Sequence, residues 1–196
     1  MYHIFKGRNY YNLDRAETLQ SFYGIGEDID KYMAASYVLE LTEKVIPEEI
    51  PQPGIFKLLM EFIVELEKRK AHHLTLELAY EIKLLRLLGT FPELNRCATC
   101  GDSKNPEFFS VENGGIMCSN CHEKIKSEAI ESLIFPINFD IVKVLNYFTS
   151  NSLSTFKKIA LEDRTANYLQ KIIRSYISYH LDIKKLKSES VMDIEV

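Results

Sequence analysis

The four cysteines of this chain all lie between positions 97 and 121, and their spacing restricts the fold more than any other feature does. They form two pairs, each with two intervening residues, separated by 17 residues: Cys97, Cys100, Cys118 and Cys121. A Cys-x₂-Cys turn points two thiolates at one ion, and two such turns complete a tetrahedron. This spacing is typical of a zinc-ribbon site. The sequence therefore predicts one structural Zn²⁺ bound by all four cysteines.

The alternatives to zinc are two disulfides, four buried free thiols or an iron–sulfur cluster. Disulfides need an oxidising compartment, and unrelated thiols seldom fall into two such pairs. The spacing is also not that of a ferredoxin. Because four thiolates close the coordination shell, the metal is expected to be structural and not catalytic. His122, beside Cys121, is interpreted as a neighbour of the site and not as a ligand.

The rest of the chain predicts a mostly α-helical bundle. Apolar residues recur with helical spacing in five segments, at about 27–45, 55–70, 74–88, 140–148 and 161–181. Residues 108–111 and 116–117 flank an Asn-Gly-Gly turn and predict a β-hairpin between the cysteine pairs. Residues 1–15 have the pattern of another hairpin, and the polar tail from Lys184 is expected to fray.

The predicted organisation is a β-hairpin at 1–15 followed by a helical domain at 16–196, into which a zinc-ribbon-like module is inserted at 96–122.

The hydrophobic fraction of 46% and net charge of −4 exclude a disordered chain and a protein that coats nucleic acid through bulk charge. No apolar run is long enough to span a membrane. The N-terminus has no signal-peptide pattern, so a cytoplasmic location is expected.

No GxSxG, Walker or GxGxxG motif is present, and the many carboxylates are interpreted as solvated charges on helix faces. The sequence therefore predicts a protein that is not an enzyme.

Of the small basic clusters, two lie beside tyrosines and are candidate DNA-contact residues: Lys6 with Arg8, and Lys171 with Arg174. The alternative for each cluster is a solvated helix face.

Two segments resemble the bacterial RecO family of DNA repair proteins. The helix that ends in LAYEIKLLRLLGTFPELNRCATCG (78–101) and the segment FFSVENGGIMCSNC (108–121) follow the family's pattern around its zinc module. Upstream, residues 30–44 resemble the family's first long helix, and residues 176–192 resemble its C-terminal end. Family members open with a five-stranded OB barrel, and here only about residues 1–14 would correspond to its last strands.

The resemblance implies a non-enzymatic recombination mediator of the RecF pathway, acting at the bacterial nucleoid. Such a protein binds single- and double-stranded DNA, anneals complementary strands and contacts the acidic tail of single-strand DNA-binding protein. With RecR, and in some settings RecF, it helps to load RecA. An acidic tail with an apolar tip would need an apolar groove rimmed by Lys or Arg. The alternative is a zinc-stabilised helical module that binds proteins and has no DNA affinity of its own.

Overall fold

Five long helices form the body of the protein, with a short hairpin before them and a small sheet inserted among them. A computed structural model describes residues 2–7, 10–103, 106–125, 133–184 and 186–192. The elements are, in chain order, β1 (Tyr2–Lys6), β2 (Tyr11–Ala16), α1 (Tyr23–Gly26), α2 (Ile29–Val45), α3 (Pro53–Lys68), α4 (His73–Leu87), β3 (Pro106–Ser110), β4 (Gly115–Cys118), α5 (Ser119–His122), β5 (Ile134–Pro136), α6 (Phe139–Ser150), a 3₁₀ helix (Leu153–Lys158), α7 (Asp163–His180) and α8 (Lys187–Met192). The predicted mostly helical fold is confirmed.

Local sequence signals set the ends of these helices. The Asp28 carboxylate accepts hydrogen bonds from the backbone N–H groups of residues 30 and 31 and caps α2. The side chain of Asn138 caps α6 in the same way. Gly89 has a φ of 75° just after α4, where the left-handed conformation needed to end the helix favours glycine.

Helix α4 is the centre of the bundle. It packs against α2, α3, α6 and α7, and most of its apolar side chains are buried, namely Leu76, Leu78, Ala79, Tyr80, Ile82, Leu84 and Leu85. One hydrophobic core joins these residues to the surrounding helices. No helix among the described residues is both long enough and apolar enough to cross a lipid bilayer.

Arg69, just after α3, is buried and does not lie on a solvated face. Its guanidinium donates hydrogen bonds to four backbone carbonyls, including those of Phe156 at 2.9 Å and Ile159 at 2.8 Å. The carbonyls of Phe156 and Ile159 belong to the 3₁₀ helix and to the residue after it. The side chain therefore fixes the connection between α6 and α7, a role that its position in a Lys-Arg-Lys run does not reveal.

The cysteine region folds as an antiparallel sheet with the strand order β4-β3-β5. The predicted hairpin of β3 and β4 is confirmed, whereas β5 at 134–136 is an addition from beyond the predicted 96–122 module. Side chains of the sheet, including Phe109, Ile116 and Phe135, belong to the main hydrophobic core. The domain boundaries themselves stay a prediction.

The N-terminal hairpin is also confirmed, with β1 and β2 paired antiparallel. Leu13 on β2 is 63% exposed, so this side chain adds little to the core.

The prediction of a frayed tail from Lys184 is wrong for the described part of that tail. Leu186 is buried, and α8 follows it. The Glu40 carboxylate on α2 accepts hydrogen bonds from the backbone N–H groups of Lys187 and Ser188 and from the Ser188 hydroxyl, at 2.7–2.9 Å. A residue 147 positions away thus supplies the N-terminal cap of this helix, which a local reading of the tail could not detect.

Candidate metal centre

The four cysteines converge as the spacing predicts. Their Sγ atoms all lie within 4.8 Å of one another. Cys97, Cys118 and Cys121 are buried and Cys100 is exposed. Met117 is buried among them, and Phe108, Ile125 and Ile134 pack around the cluster. The chain therefore has a sulfur site that is enclosed on most sides and has one ligand at the surface.

The donor set fits a tetrahedral ion. An ion about 2.3 Å from each of four sulfurs places those sulfurs about 3.8 Å apart. The Sγ atoms of Cys100 and Cys118, which come from different pairs, are 3.8 Å apart. Because His122 is not part of the cluster, the four cysteines form the complete predicted set.

The first pair lies on a tight turn that is tied to the sheet. The Gly101 N–H donates to the Cys97 carbonyl at 2.8 Å, and Gly101 has a φ of 79°, which favours glycine. The Ala98 N–H donates to the Ile116 carbonyl on β4 at 2.8 Å. These bonds hold the first pair beside β4, whose last residue, Cys118, begins the second pair.

Gly115 is required by a close backbone approach. A Cβ atom at this position would lie 2.3 Å from the Glu93 carbonyl oxygen. The backbone of Glu93 donates to Gly114 and accepts from Ile116, both at 2.9 Å. The sequence predicts turn glycines here, and the structure adds that the second one lets residue 93 pair with β4.

Helix α7 holds this module against the bundle. The Tyr176 hydroxyl donates to the Thr90 carbonyl at 2.9 Å, and its ring makes an edge contact with Phe109. The His180 ring nitrogen Nε2 lies 2.6 Å from the Val111 carbonyl oxygen. His122 instead stacks on Phe108, with ring centroids 3.9 Å apart, which agrees with its interpretation as a neighbour of the site.

The surroundings of Cys97 and Cys121 shift the pKa values of their thiols in opposite directions. Burial opposes ionisation of Cys97, but backbone hydrogen bonds, chiefly those of Cys100 and Cys118, hold the pKa of its thiol below the ordinary value. Burial and the neighbouring sulfurs raise the pKa of Cys121. A bound cation would offset the repulsion among four thiolates, which is the physical reason that such clusters bind metal.

Only part of the predicted DNA-contact set can be located. The side chain of Lys6 and all of Arg8 lie outside the described residues. Lys171 is exposed on α7, with its ammonium 5.8 Å from the centre of the Phe135 ring. For these three residues DNA contact stays a prediction.

Arg174 is half-buried, although it is only one turn from the exposed Lys171. Its guanidinium lies 3.4 Å from the Glu189 carboxylate on α8 and 4.0 Å from that of Glu77 on α4. It also stacks over the Tyr37 ring at 4.5 Å. Arg174 therefore joins four helices, and this geometry does not favour its predicted contact with DNA.

Two carboxylates beneath Arg174 correct the interpretation of the acidic residues as solvated charges. Glu77 and Glu81 are 6% and 1% exposed. The Tyr37 hydroxyl donates to Glu81 Oε1, and Glu81 Oε2 has no hydrogen-bond partner within the described part of the chain. Burial raises the pKa of each carboxyl to about 7, against the opposing effect of Arg174. The sequence contains one indication that these two carboxylates are buried, because α4 has too few polar residues to present a solvated face.

An open groove crosses the surface between β5, α6 and α7. It has a volume of about 870 Å³. Its apolar wall includes Ile137, Ile141 and Val144, and Arg164 and Lys171 stand at its rim. The Tyr168 hydroxyl donates to the Pro136 carbonyl at 2.7 Å and ties β5 to α7. The groove thus combines an apolar wall with two cationic side chains.

Comparison with known proteins connects the bundle and its sulfur site with DNA repair. The family model described as "Recombination protein O C terminal" matches residues 26–190. DNA repair protein RecO of Alkaliphilus metalliredigens is 32% identical over 91% of this chain and 71% of its own length. The RecO protein of a Thermoanaerobacter species is 27% identical over 99% of this chain and 76% of its own length. That of Listeria welshimeri is 30% identical over 88% and 65%.

A match of this extent defines a bacterial DNA repair protein built on a helical recombination-protein domain. The chain belongs to the RecO family. Proteins of this family are non-enzymatic mediators, in agreement with the prediction of a protein that is not an enzyme.

The buried carboxylates predict a specific pH dependence of stability. Their pKa of about 7 in the folded state lies above the unfolded value of about 4.3, so their contribution is complete below pH 4 and is lost as the pH rises through 7. We expect Glu81→Gln, which has no proton to lose, to make the free energy of unfolding less sensitive to pH between 5.5 and 8.5. The difference from the wild type should be on the order of 2 kcal/mol.

Urea unfolding at several pH values measures this difference. The groups that face Glu81 are Tyr37 from α2, Glu77 from α4, Arg174 from α7 and Glu189 from α8. Glu43→Gln, at an exposed position of α2, serves as the control and should keep the wild-type profile. Parallel profiles for the wild type and Glu81→Gln would contradict the prediction.

Proposed function

We propose that this chain acts in the bacterial cytoplasm as a recombination mediator that binds and anneals single-stranded DNA. In this role it binds single- and double-stranded DNA and helps RecR, and in some settings RecF, to load RecA onto DNA coated by single-strand DNA-binding protein. The observation that carries the proposal is the family match over residues 26–190, which includes both the helical bundle and the cysteine module.

The physical requirements of annealing agree with what the structure contains. Annealing needs neutralisation of phosphate charge and alignment of two strands, and no covalent bond is made or broken. A sulfur-only metal site leaves no position for a reacting water, so its role is structural. Because the net charge of the chain is −4, the affinity for DNA must come from local positive patches and not from the total.

The groove between β5, α6 and α7 suits the acidic tail of single-strand DNA-binding protein. The apolar wall formed by Ile137, Ile141 and Val144 would receive the apolar tip of the tail. Arg164 and Lys171 at the rim would attract its carboxylates. Asp140 is also part of the rim, and it pairs with Lys143 at 3.6 Å.

The metal proposed for the sulfur cluster is one Zn²⁺ per chain. Four cysteines that converge on a tetrahedral site are the standard ligand set of structural zinc. The residues that would hold the ion are Cys97, Cys100, Cys118 and Cys121. Because metal binding and local folding are coupled at such sites, the ion would contribute to the free energy that closes this end of the sheet.

A second candidate is a zinc-stabilised platform that binds proteins and not DNA. The large apolar groove favours it, because a groove of this kind fits a peptide better than a phosphate backbone. The two candidates differ in one measurable property, which is the affinity of the chain itself for single-stranded DNA.

We expect the wild-type chain to anneal complementary oligonucleotides without ATP, as followed by the loss of donor fluorescence in a labelled pair. The apparent affinity for a single strand should fall at least tenfold between 50 and 200 mM salt, since phosphate neutralisation releases counterions. Annealing that does not depend on salt would contradict the electrostatic account. An absence of submicromolar binding to single-stranded DNA would favour the protein-binding platform.

For the metal, we expect one zinc per purified chain by elemental analysis. Removal with a strong chelator should abolish cooperative unfolding of the sheet, because metal binding and local folding are coupled. Cys118→Ser should have the same effect, whereas Ser119→Ala, at the next position, should retain the metal. A metal-free chain that is folded at residues 97–121 would refute the proposal.

For the groove, we expect the chain to bind full-length single-strand DNA-binding protein and not a form that lacks its acidic C-terminal tail. The double substitution Arg164→Ala and Lys171→Ala should weaken this binding about tenfold, measured by calorimetry, since it removes the cationic rim. The matched control is Lys70→Ala with Lys184→Ala, two exposed lysines away from the groove. Equal affinities for both double variants would contradict the assignment.

A further inference from the structure

A second groove, between α3, α4 and α6, has a different chemical character. It has a volume of about 430 Å³ and carries three cationic side chains on its wall: Lys57, Lys83 and Arg86. Lys57 comes from α3, while Lys83 and Arg86 are three residues apart in α4 and share one of its sides. This basic groove contains none of the four residues that the sequence analysis selected as DNA contacts.

The positive charge of the basic groove is poorly balanced. Within the described part of the chain, none of the three cations forms an ion pair at 4.0 Å or less. Glu61 is the acidic residue on the wall, and its Oε1 accepts the backbone N–H of Ser154 at 3.2 Å. Three positive charges therefore face one negative charge, on a protein whose net charge is −4.

This arrangement of charges disfavours the protonated form of Lys83. Lys83 is half-buried, and burial lowers the pKa of its ammonium, with Arg86 adding to the effect and Glu61 opposing it. A cation held in a partly dehydrated position next to another cation is destabilised until an anion approaches. The dipole of α4 favours Arg86, which lies in its last turn, and Glu61 offsets part of the positive charge at Lys83.

The apolar part of the wall favours a nucleic acid over a free ion. Leu87, on the wall, is 51% exposed. Single-stranded nucleic acids bind where cations meet the phosphates and exposed apolar or aromatic side chains meet the faces of the bases. The basic groove is half the volume of the groove with the Ile137 wall, and its apolar surface is smaller, so it suits an apolar peptide tip less well.

We propose that Lys57, Lys83 and Arg86 bind the phosphodiester backbone of single-stranded nucleic acid in the groove between α3, α4 and α6. The inference rests on the proposed function and adds the residues that make the contact. The helical body then has two separate sites, a basic groove for the nucleic acid and an apolar groove for the partner's tail.

The test uses the double substitution Lys57→Gln and Arg86→Gln in the full chain. Both side chains are exposed, so the fold should be retained, which thermal unfolding checks. The control is Lys70→Gln with Lys184→Gln, which removes the same charge from exposed positions elsewhere. Binding of a fluorescein-labelled oligothymidine of about 20 nucleotides, enough to cover several binding sites, is measured by anisotropy at several salt concentrations.

We expect the groove variant to bind about tenfold more weakly than the wild type. The slope of log K against log salt should fall by about 1.4, which corresponds to two lost phosphate contacts on a single strand. The control should stay within twofold of the wild type. Inorganic phosphate at constant ionic strength should not displace the oligonucleotide at millimolar concentration, whereas an unlabelled strand should displace it.

Several results would overturn the inference. If the wild type binds the strand and both double variants bind equally well, the site is elsewhere and the proposed function is unaffected. If the groove variant keeps its DNA affinity and loses single-strand DNA-binding protein, the groove is a protein site. If free phosphate displaces the strand, the groove is an anion site without preference for nucleic acid. If the wild type binds no DNA, both the inference and the DNA-binding part of the proposed function are wrong.

Discussion

The burial of α4 through most of its length is the constraint on which the rest of this structure depends. The buried polar groups of this helix cannot be hydrated, so they need partners inside the protein or carry a shifted pKa. Thr75 accepts the backbone N–H of Leu161 at 3.1 Å, the Tyr80 hydroxyl lies 2.6 Å from that of Thr42, and Glu81 accepts from Tyr37. The polar residues of α4 thereby fix the positions of α2 and of the segment before α7, in addition to the apolar packing.

The same burial explains where α4 reaches the surface. Its apolar faces are covered through most of its length, and the last turn with Lys83 and Arg86 borders the groove that it shares with α3 and α6. Beyond this turn, Gly89 reverses the chain and residue 93 pairs with β4. One helix therefore connects the core of the bundle, the basic groove and the cysteine module, so a displacement of α4 would alter all three.

The sequence predicted the features that depend on neighbouring residues. Helix periodicity, the two hairpins and the convergence of the four cysteines all follow from signals within about 25 positions. The features that were missed depend on distant partners. Arg69 is separated by 87 residues from one of its carbonyl acceptors, and Arg174 is paired with a glutamate from α4. In both cases nothing in the local sequence reveals that another segment of the chain covers the basic residue.

The basic groove was not predicted from the sequence. An apolar groove rimmed by cations was required by the expected partner, but its residues could not be named. The candidate groove is formed by β5, α6 and α7, and β5 itself was not recognised. A three-residue strand has too little pattern to be identified alone, and its pairing with β3 gives it a defined position.

The cap that Glu40 provides for α8 determines the order in which the chain can assemble. A helix of six residues is too short to persist in isolation, and its first N–H groups are satisfied by a carboxylate that α2 carries. Helix α8 must therefore wait for the bundle before it can form. Its backbone N–H groups should therefore be less protected from hydrogen exchange than those of the long helices. The ion pair between Arg174 of α7 and Glu189 of α8 is a further contact of this segment with the bundle, so the order of the C-terminal segment reports whether the bundle has closed.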